Sequence, residues 1–74
     1  MFVDAKQQVE DYLRAQSAPV PVLHVAKALA GEHGTARMVN PYLYALEREG
    51  KARRTSERPN GAKPMWSYVH PASQ

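Results

Sequence analysis

Apolar residues recur with a helical period in the first third of the chain. Ala5, Val9, Tyr12 and Leu13 fall at i, i+4, i+7 and i+8 with charged residues between them, which predicts an amphipathic helix of about three turns. Asp4 stands where an N-cap belongs, and Ser17-Ala18-Pro19 ends the element because proline drives the residue before it out of the helical region. Pro19-Val20-Pro21-Val22 reads as extended, and its two prolines confine it to a sheet edge if it pairs. A shorter helix follows from Val22 or Leu23 to Ala30, with Val22, Ala26, Leu29 and Ala30 on one stripe and Lys27 outside it. Gly31-Glu32-His33-Gly34 supplies a turn, with Gly31 suited to positive φ after the helix end. Thr35 is then the predicted N-cap of a third helix.

That third helix, Ala36 to Glu49, has two unlike faces. Val39, Tyr42, Leu43 and Leu46 make an apolar stripe assigned to the core, whereas Arg37, Asn40, Pro41, Tyr44 and Arg48 cluster on the other side. Gly50 closes the element as a C-cap. Local rules leave a second reading open, in which Asn40-Pro41 is an N-cap followed by proline at the first helical position and the helix starts late. Beyond Gly50, Lys51 to Thr55 and the alternating Met65 to His70 predict a hairpin with a long tip. Ser56 to Pro64 forms that tip and contains Pro59, Asn60-Gly61 and Pro64. The order predicts an α+β winged helix-turn-helix: three helices, a C-terminal β-hairpin wing, and Val20 to Val22 as a short third strand. It is read as one domain over residues 1–74, with an ordered core over 3–70 and a frayed tail over 71–74.

Composition narrows the function. A chain of 74 residues buries only roughly 60% of the surface it exposes when unfolded, which leaves one thin core and little room for a deep pocket. A self-contained enzyme is not expected. Without cysteine there is no disulfide, no thiolate nucleophile and no Cys-type zinc site. No stretch approaches the roughly 20 apolar residues of a membrane span and no signal peptide is visible, so an intracellular protein, cytoplasmic or nuclear, is expected. The net charge of +3 is unevenly placed. Residues 1–34 carry three basic side chains against four acidic ones, while residues 48–74 carry six against two. The basic surplus therefore belongs to the predicted wing, which suggests an end that faces a polyanion, the plain alternative being a solvated basic strand.

Motifs for chemistry are lacking. His24, His33 and His70 lie on different elements with no i, i+4 pair, so no metal site is expected, and no catalytic constellation or cofactor motif is present. The outward face of the third helix is informative in another way. A helix that reads base edges in the major groove uses Arg, Asn, Gln or Lys, and here Pro41 and Tyr44 occupy the middle of the face. Taken singly, Tyr44 reads first as an ordinary core residue under the wing and Trp66 as the large core residue that anchors a hairpin.

Together, Asn40-Pro-Tyr-Leu-Tyr44 on the third helix and Lys63-Pro64-Met65-Trp66 on the wing resemble the Zα domain, a winged-helix module that recognises left-handed Z-form DNA and RNA. The shared pattern is an asparagine, a tyrosine four residues on, and a proline two positions before a tryptophan in the wing. Asn40, Tyr44, Pro64 and Trp66 match it, and the order of elements extends the resemblance over nearly the whole chain. The resemblance implies that Tyr44 lays its ring against a syn base and that Asn40 hydrogen-bonds backbone phosphates. It implies that Trp66 supports Tyr44 and reaches a phosphate through its indole N–H, and that Pro64 packs on the sugar-phosphate surface. Arg37 would take the place of a phosphate-contacting lysine, and Arg48, Lys51, Arg53, Arg54 and Lys63 would add less specific contacts. The chain departs from the family at Pro41, where a second basic residue is common, at Lys63-Pro64 in place of two adjacent prolines, and in a longer turn between the second and third helices.

The function so implied is structure-specific binding and stabilisation of Z-form double-stranded DNA or RNA, with several copies on one duplex and a monomer in its absence. Family members usually occur as modules of antiviral proteins, or of viral proteins that oppose them, which points to innate immunity. Two alternatives stay open: a conventional winged helix on right-handed DNA, and a protein-interaction winged helix using Tyr44, Pro64 and Trp66 as a hot spot.

Overall fold

In the computed structural model, which describes residues 4–55 and 64–70, helix α1 spans Ala5–Ala15. Its start follows the predicted chemistry: Asp4 keeps an extended backbone, and its Oδ1 accepts the Gln7 N–H at 2.8 Å. After the helix, β1 (Val20–Pro21) leads directly into α2 (Val22–Ala30). The turn beyond α2 is a single 3-10 turn, Gly31–His33, with Gly31 at φ 67°. Helix α3 spans Ala36–Arg48, and strands β2 (Ala52–Arg54) and β3 (Met65–Tyr68) complete the chain. The tip with Pro59, Asn60-Gly61 and Lys63, the residues before Asp4 and the 71–74 tail lie outside the described residues.

The strands form one antiparallel sheet in the order β1-β3-β2, so the proline-bearing β1 is an edge strand, as a residue without an N–H requires. Val20 pairs with Trp66 on one side of β3, and Arg54 pairs with Trp66 on the other. Beyond Arg54 the ladder continues through Thr55, whose N–H reaches the Met65 carbonyl at 2.9 Å and whose hydroxyl accepts the Met65 N–H at 3.1 Å. The last strand is shorter than its alternating sequence suggests, ending at Tyr68 and not at His70.

Three helices and the sheet enclose one core of Val9, Leu13, Val22, Val25, Ala26, Val39, Leu43, Leu46, Ala52 and Trp66. Tyr42, expected fully inside, packs partly buried at its margin with Tyr12, Val20 and Leu29. Val25 is buried although the predicted stripe of α2 omits it, because this nine-residue helix packs against both α1 and α3 and buries a wide face. Among the described residues one charged group joins the core. Glu10 of α1 is 7% exposed and accepts the Tyr68 hydroxyl at 3.0 Å, while Arg14 and Lys51 each bring a cation to 3.8 Å. A carboxylate held by a donor and two cations is tolerated where an unpaired one would not be, and this group ties α1 to the end of the sheet.

The start of α3 settles the alternative left open by Asn40-Pro41. The helix begins at Ala36, five residues before the proline, so Pro41 lies inside it. Thr35 occupies the N-cap position with extended backbone but makes no side-chain cap hydrogen bond. Proline at this depth cannot donate to the Arg37 carbonyl one turn back. Both Arg37 and Pro41 are on the exposed side of the helix. At the other end, Glu49 is the C-cap and Gly50, at φ 79°, follows it. The Gly50 N–H bonds the Glu47 carbonyl at 3.0 Å and the Lys51 N–H bonds the Leu46 carbonyl at 2.9 Å, the paired closure of a Schellman motif. This turn sends the chain straight into β2.

Gly34 is buried without unusual φ, and its need for glycine is spatial: a Cβ there would run into the Ala26 carbonyl. Gly34→Ala must therefore separate the turn from α2. A loss of about 1–3 kcal/mol is expected in urea unfolding, as for other overpacked sites, and an unchanged midpoint would show that the turn is free to move away.

Candidate nucleic-acid interface

Helix α3 sets one side of the candidate site. With Val39, Leu43 and Leu46 directed inward, the helical period carries Ala36, Asn40, Tyr44 and Glu47 up the flank that meets the sheet. Arg37, Pro41 and Arg48 lie further out and are exposed. Tyr44 belongs to both rows, being 38% exposed and also in contact with β3.

The other side is Trp66. Its position between Val20 and Arg54 on the central strand fixes its backbone from both edges, and the side chain is 2% exposed. Tyr44 meets it perpendicularly, with ring centroids 5.4 Å apart at 90°, an arrangement favoured by the opposed charges of aromatic faces and edges. Around the pair, Val22, Ala36, Asn40 and Pro64 line a shallow cavity of about 180 Å³. A larger cavity of about 240 Å³ lies between α1, α2 and α3; neither cavity has a charged side chain in its lining, but only the smaller one includes the two rings that the Arg54 guanidinium covers.

The cations divide into groups. Arg37, Arg48 and Arg53 are exposed and make no ion pair among the described residues. Lys51 is drawn away from the site, with its ammonium 3.6 Å from Glu49 and 3.8 Å from Glu10. Glu49 also pairs with Lys6, and these lysines hold its carboxyl below its ordinary pKa, the Lys6 hydrogen bond being the largest cause. Arg54 is different again. Its Nε donates to Glu47 Oε2 at 2.9 Å, and its guanidinium carbon lies 5.1 Å from the Tyr44 ring centre and 5.8 Å from that of Trp66. The Glu47 hydrogen bond, followed by a smaller opposing desolvation and then that carboxylate's charge, raises the Arg54 pKa above its ordinary value.

Of the residues singled out from sequence, Asn40, Tyr44, Pro64 and Trp66 come together in one concavity. Arg37 and Arg48 flank it on the exposed face of α3, and Lys63 lies outside the described residues. Tyr44 is not a core residue under the hairpin, as one reading had it; Trp66 is, so the accessible aromatic surface belongs to Tyr44. Sequence reasoning passed over Glu47 and treated Arg54 as one cation among several. No local spacing rule connects two residues separated by a helix cap and a strand entry. Among the described residues no three of His, Asp and Glu gather as a metal site, and no helix is long and apolar enough to cross a membrane. The chain matches no family model, no curated protein and no solved structure.

The two rings should respond differently to truncation. Trp66→Ala removes a buried core side chain and is expected to cost about 3–5 kcal/mol. Tyr44→Ala, at the surface, should cost well under half of that, on the order of 1 kcal/mol for the lost ring pair. Thermal or urea unfolding checks this. Equal losses would mean that Tyr44 is a structural residue and that the concavity is incidental.

Proposed function

We propose that this chain is a winged helix-turn-helix module that binds and stabilises left-handed Z-form double-stranded DNA or RNA, with α3 as recognition helix and the β2–β3 segment as wing. It is a binding domain and not an enzyme. The observation that carries this reading is the Tyr44 ring, left 38% exposed and braced perpendicular to a buried Trp66, with Asn40 and Pro64 beside it in one concavity. A tyrosine so placed presents a rigid apolar face with a hydroxyl at its end, which suits stacking or edge contact with a base that is turned outward and accessible. In right-handed B-DNA the bases offer only their groove edges, which call for paired hydrogen-bonding side chains that the middle of this helix lacks.

In this reading Asn40, Arg37, Arg48 and Lys63 contact phosphates, Pro64 packs on the sugar-phosphate surface, and Trp66 holds Tyr44. Since phosphate contacts position a protein without reading bases, recognition is of backbone shape and of the syn base beneath Tyr44, and not of sequence. The same preference drives a conversion. A ligand that binds one conformer shifts the equilibrium only by its differential affinity, and moving a duplex from 1:99 to 99:1 takes about 5.5 kcal/mol. Several copies on one duplex share that requirement.

The test is a circular-dichroism titration of an alternating CG duplex at moderate salt, with Tyr44→Ala as control. Inversion of the long-wavelength bands is expected with the native chain and is expected to disappear with Tyr44→Ala. The apparent affinity should fall steeply with added salt, since each neutralised phosphate releases condensed counterion. Binding without inversion would instead favour a module for right-handed DNA, and absence of binding at low salt would leave a protein-interaction surface.

A further inference from the structure

Glu47 is an unexpected residue at the edge of a surface proposed to meet phosphates. Its carboxylate stands on the same flank of α3 as Asn40 and Tyr44, where by charge alone it opposes polyanion binding. What it does in the structure is hold Arg54. The Nε donor of Arg54 is 2.9 Å from Glu47 Oε2, and the guanidinium so fixed lies within 5.1 Å of the Tyr44 ring centre and 5.8 Å of that of Trp66. Arg54 is also the cross-strand partner of Trp66, so its backbone is set by sheet register and its side chain by a helix residue.

We infer that Glu47 and Arg54 are a positioning pair, which fixes the orientation of the Tyr44 ring for its ligand through the guanidinium. The inference rests on the function proposed above and names a determinant of that same site. Tyr44 is otherwise held mainly along one direction. Its backbone belongs to α3 and its ring meets Trp66, but a half-exposed ring can still turn about its side-chain torsions. A planar cation over the ring, itself anchored at Nε, restricts that rotation. Arginine suits the task because its plane stacks on aromatic rings while its fork engages a carboxylate; lysine offers a point charge on a flexible stem. The negative charge of Glu47 is then retained for order in the free site, against its direct effect on the ligand.

Three substitutions in the full chain, each checked by urea unfolding, separate the competing accounts. If Glu47 merely repels phosphate, Glu47→Ala must tighten binding to the alternating CG duplex. If it positions Arg54, Glu47→Ala must weaken binding by roughly 3- to 10-fold despite the more positive chain. Arg54→Lys keeps the charge and is expected to weaken binding to a similar degree, with the slope of log K against log salt unchanged. Binding by Arg54→Lys at native strength, or a slope reduced by about one in Arg54→Ala, would make Arg54 an ordinary phosphate contact and overturn the inference.

A second readout needs no nucleic acid. The near-ultraviolet circular dichroism of the free protein reports the fixed Tyr44–Trp66 geometry, and both Glu47→Ala and Arg54→Lys are expected to diminish it while the far-ultraviolet spectrum stays native. An unchanged near-ultraviolet band would overturn the positioning role whatever the duplex does. Failure of the native chain to invert the duplex, with the band still lost in the variants, would overturn the proposed function and leave the positioning pair in place. Should Glu47→Ala fail to fold, Arg54→Lys alone decides between the outcomes.

Discussion

The placement of Trp66 is the constraint on which the other features depend. It is the large side chain of a thin core, it sits on the central strand, and both neighbouring strands register against it. Burying an aromatic of this size is a large part of what so short a chain can gain on folding. The same burial gives the surface a rigid aromatic feature, because Tyr44 has a fixed ring to stand against. Stability and the candidate site therefore share a residue, and a substitution at Trp66 cannot report on binding without also reporting on the fold.

Register transmits this constraint to the surface. The Schellman closure around Gly50 sets where β2 begins, and the two-residue period of the strand then places Ala52 and Arg54 on one side. Ala52 falls into the core, and Arg54 reaches past the end of it to the two rings. A slip of one residue would turn both to the opposite face of the sheet. The position of a surface guanidinium is in this way decided by a helix cap four residues earlier, with the Glu47 carboxylate adding the last restraint.

The parts of this molecule that were legible in its sequence are those decided over a few residues. The Asp4 cap, the glycine at φ 67° after α2 and the edge placement of the Pro21 strand all follow from local backbone chemistry, and each was readable without knowing the partners. The apolar stripe of α3 was readable because thirteen residues give the period room to show. Where two surfaces compete for one short helix, the period misleads: α2 buries Val25, which the stripe omits, and leaves Leu29 and Ala30 of the stripe only partly buried, because α1 and α3 both claim it. Pro41 marks the limit of local rules, which left a late start open beside the predicted start at Ala36. Propensity favours proline at a helix start, yet packing of Val39, Leu43 and Leu46 carries α3 back to Ala36 and takes the proline inside. Whether Tyr44 or Trp66 would be the exposed ring was a matter of strand pairing, which no single segment encodes.

The distribution of charge around the site bears on how a small domain can be selective. The exposed cations of α3 and β2 would attract any nucleic acid, and attraction of this kind scales with the number of phosphates neutralised and not with their arrangement. Selectivity for one backbone shape requires groups that cannot adjust to another. The braced Tyr44 is of this kind, since its ring is constrained by Trp66 on one side and by the Glu47-anchored guanidinium on another. An acidic residue that lowers the general attraction while stiffening the specific contact shifts the balance toward discrimination, at some expense of affinity. Under the proposed function that exchange is favourable: a domain that gains only from the difference between two conformers loses nothing by binding both of them less, provided it binds the wrong one less still.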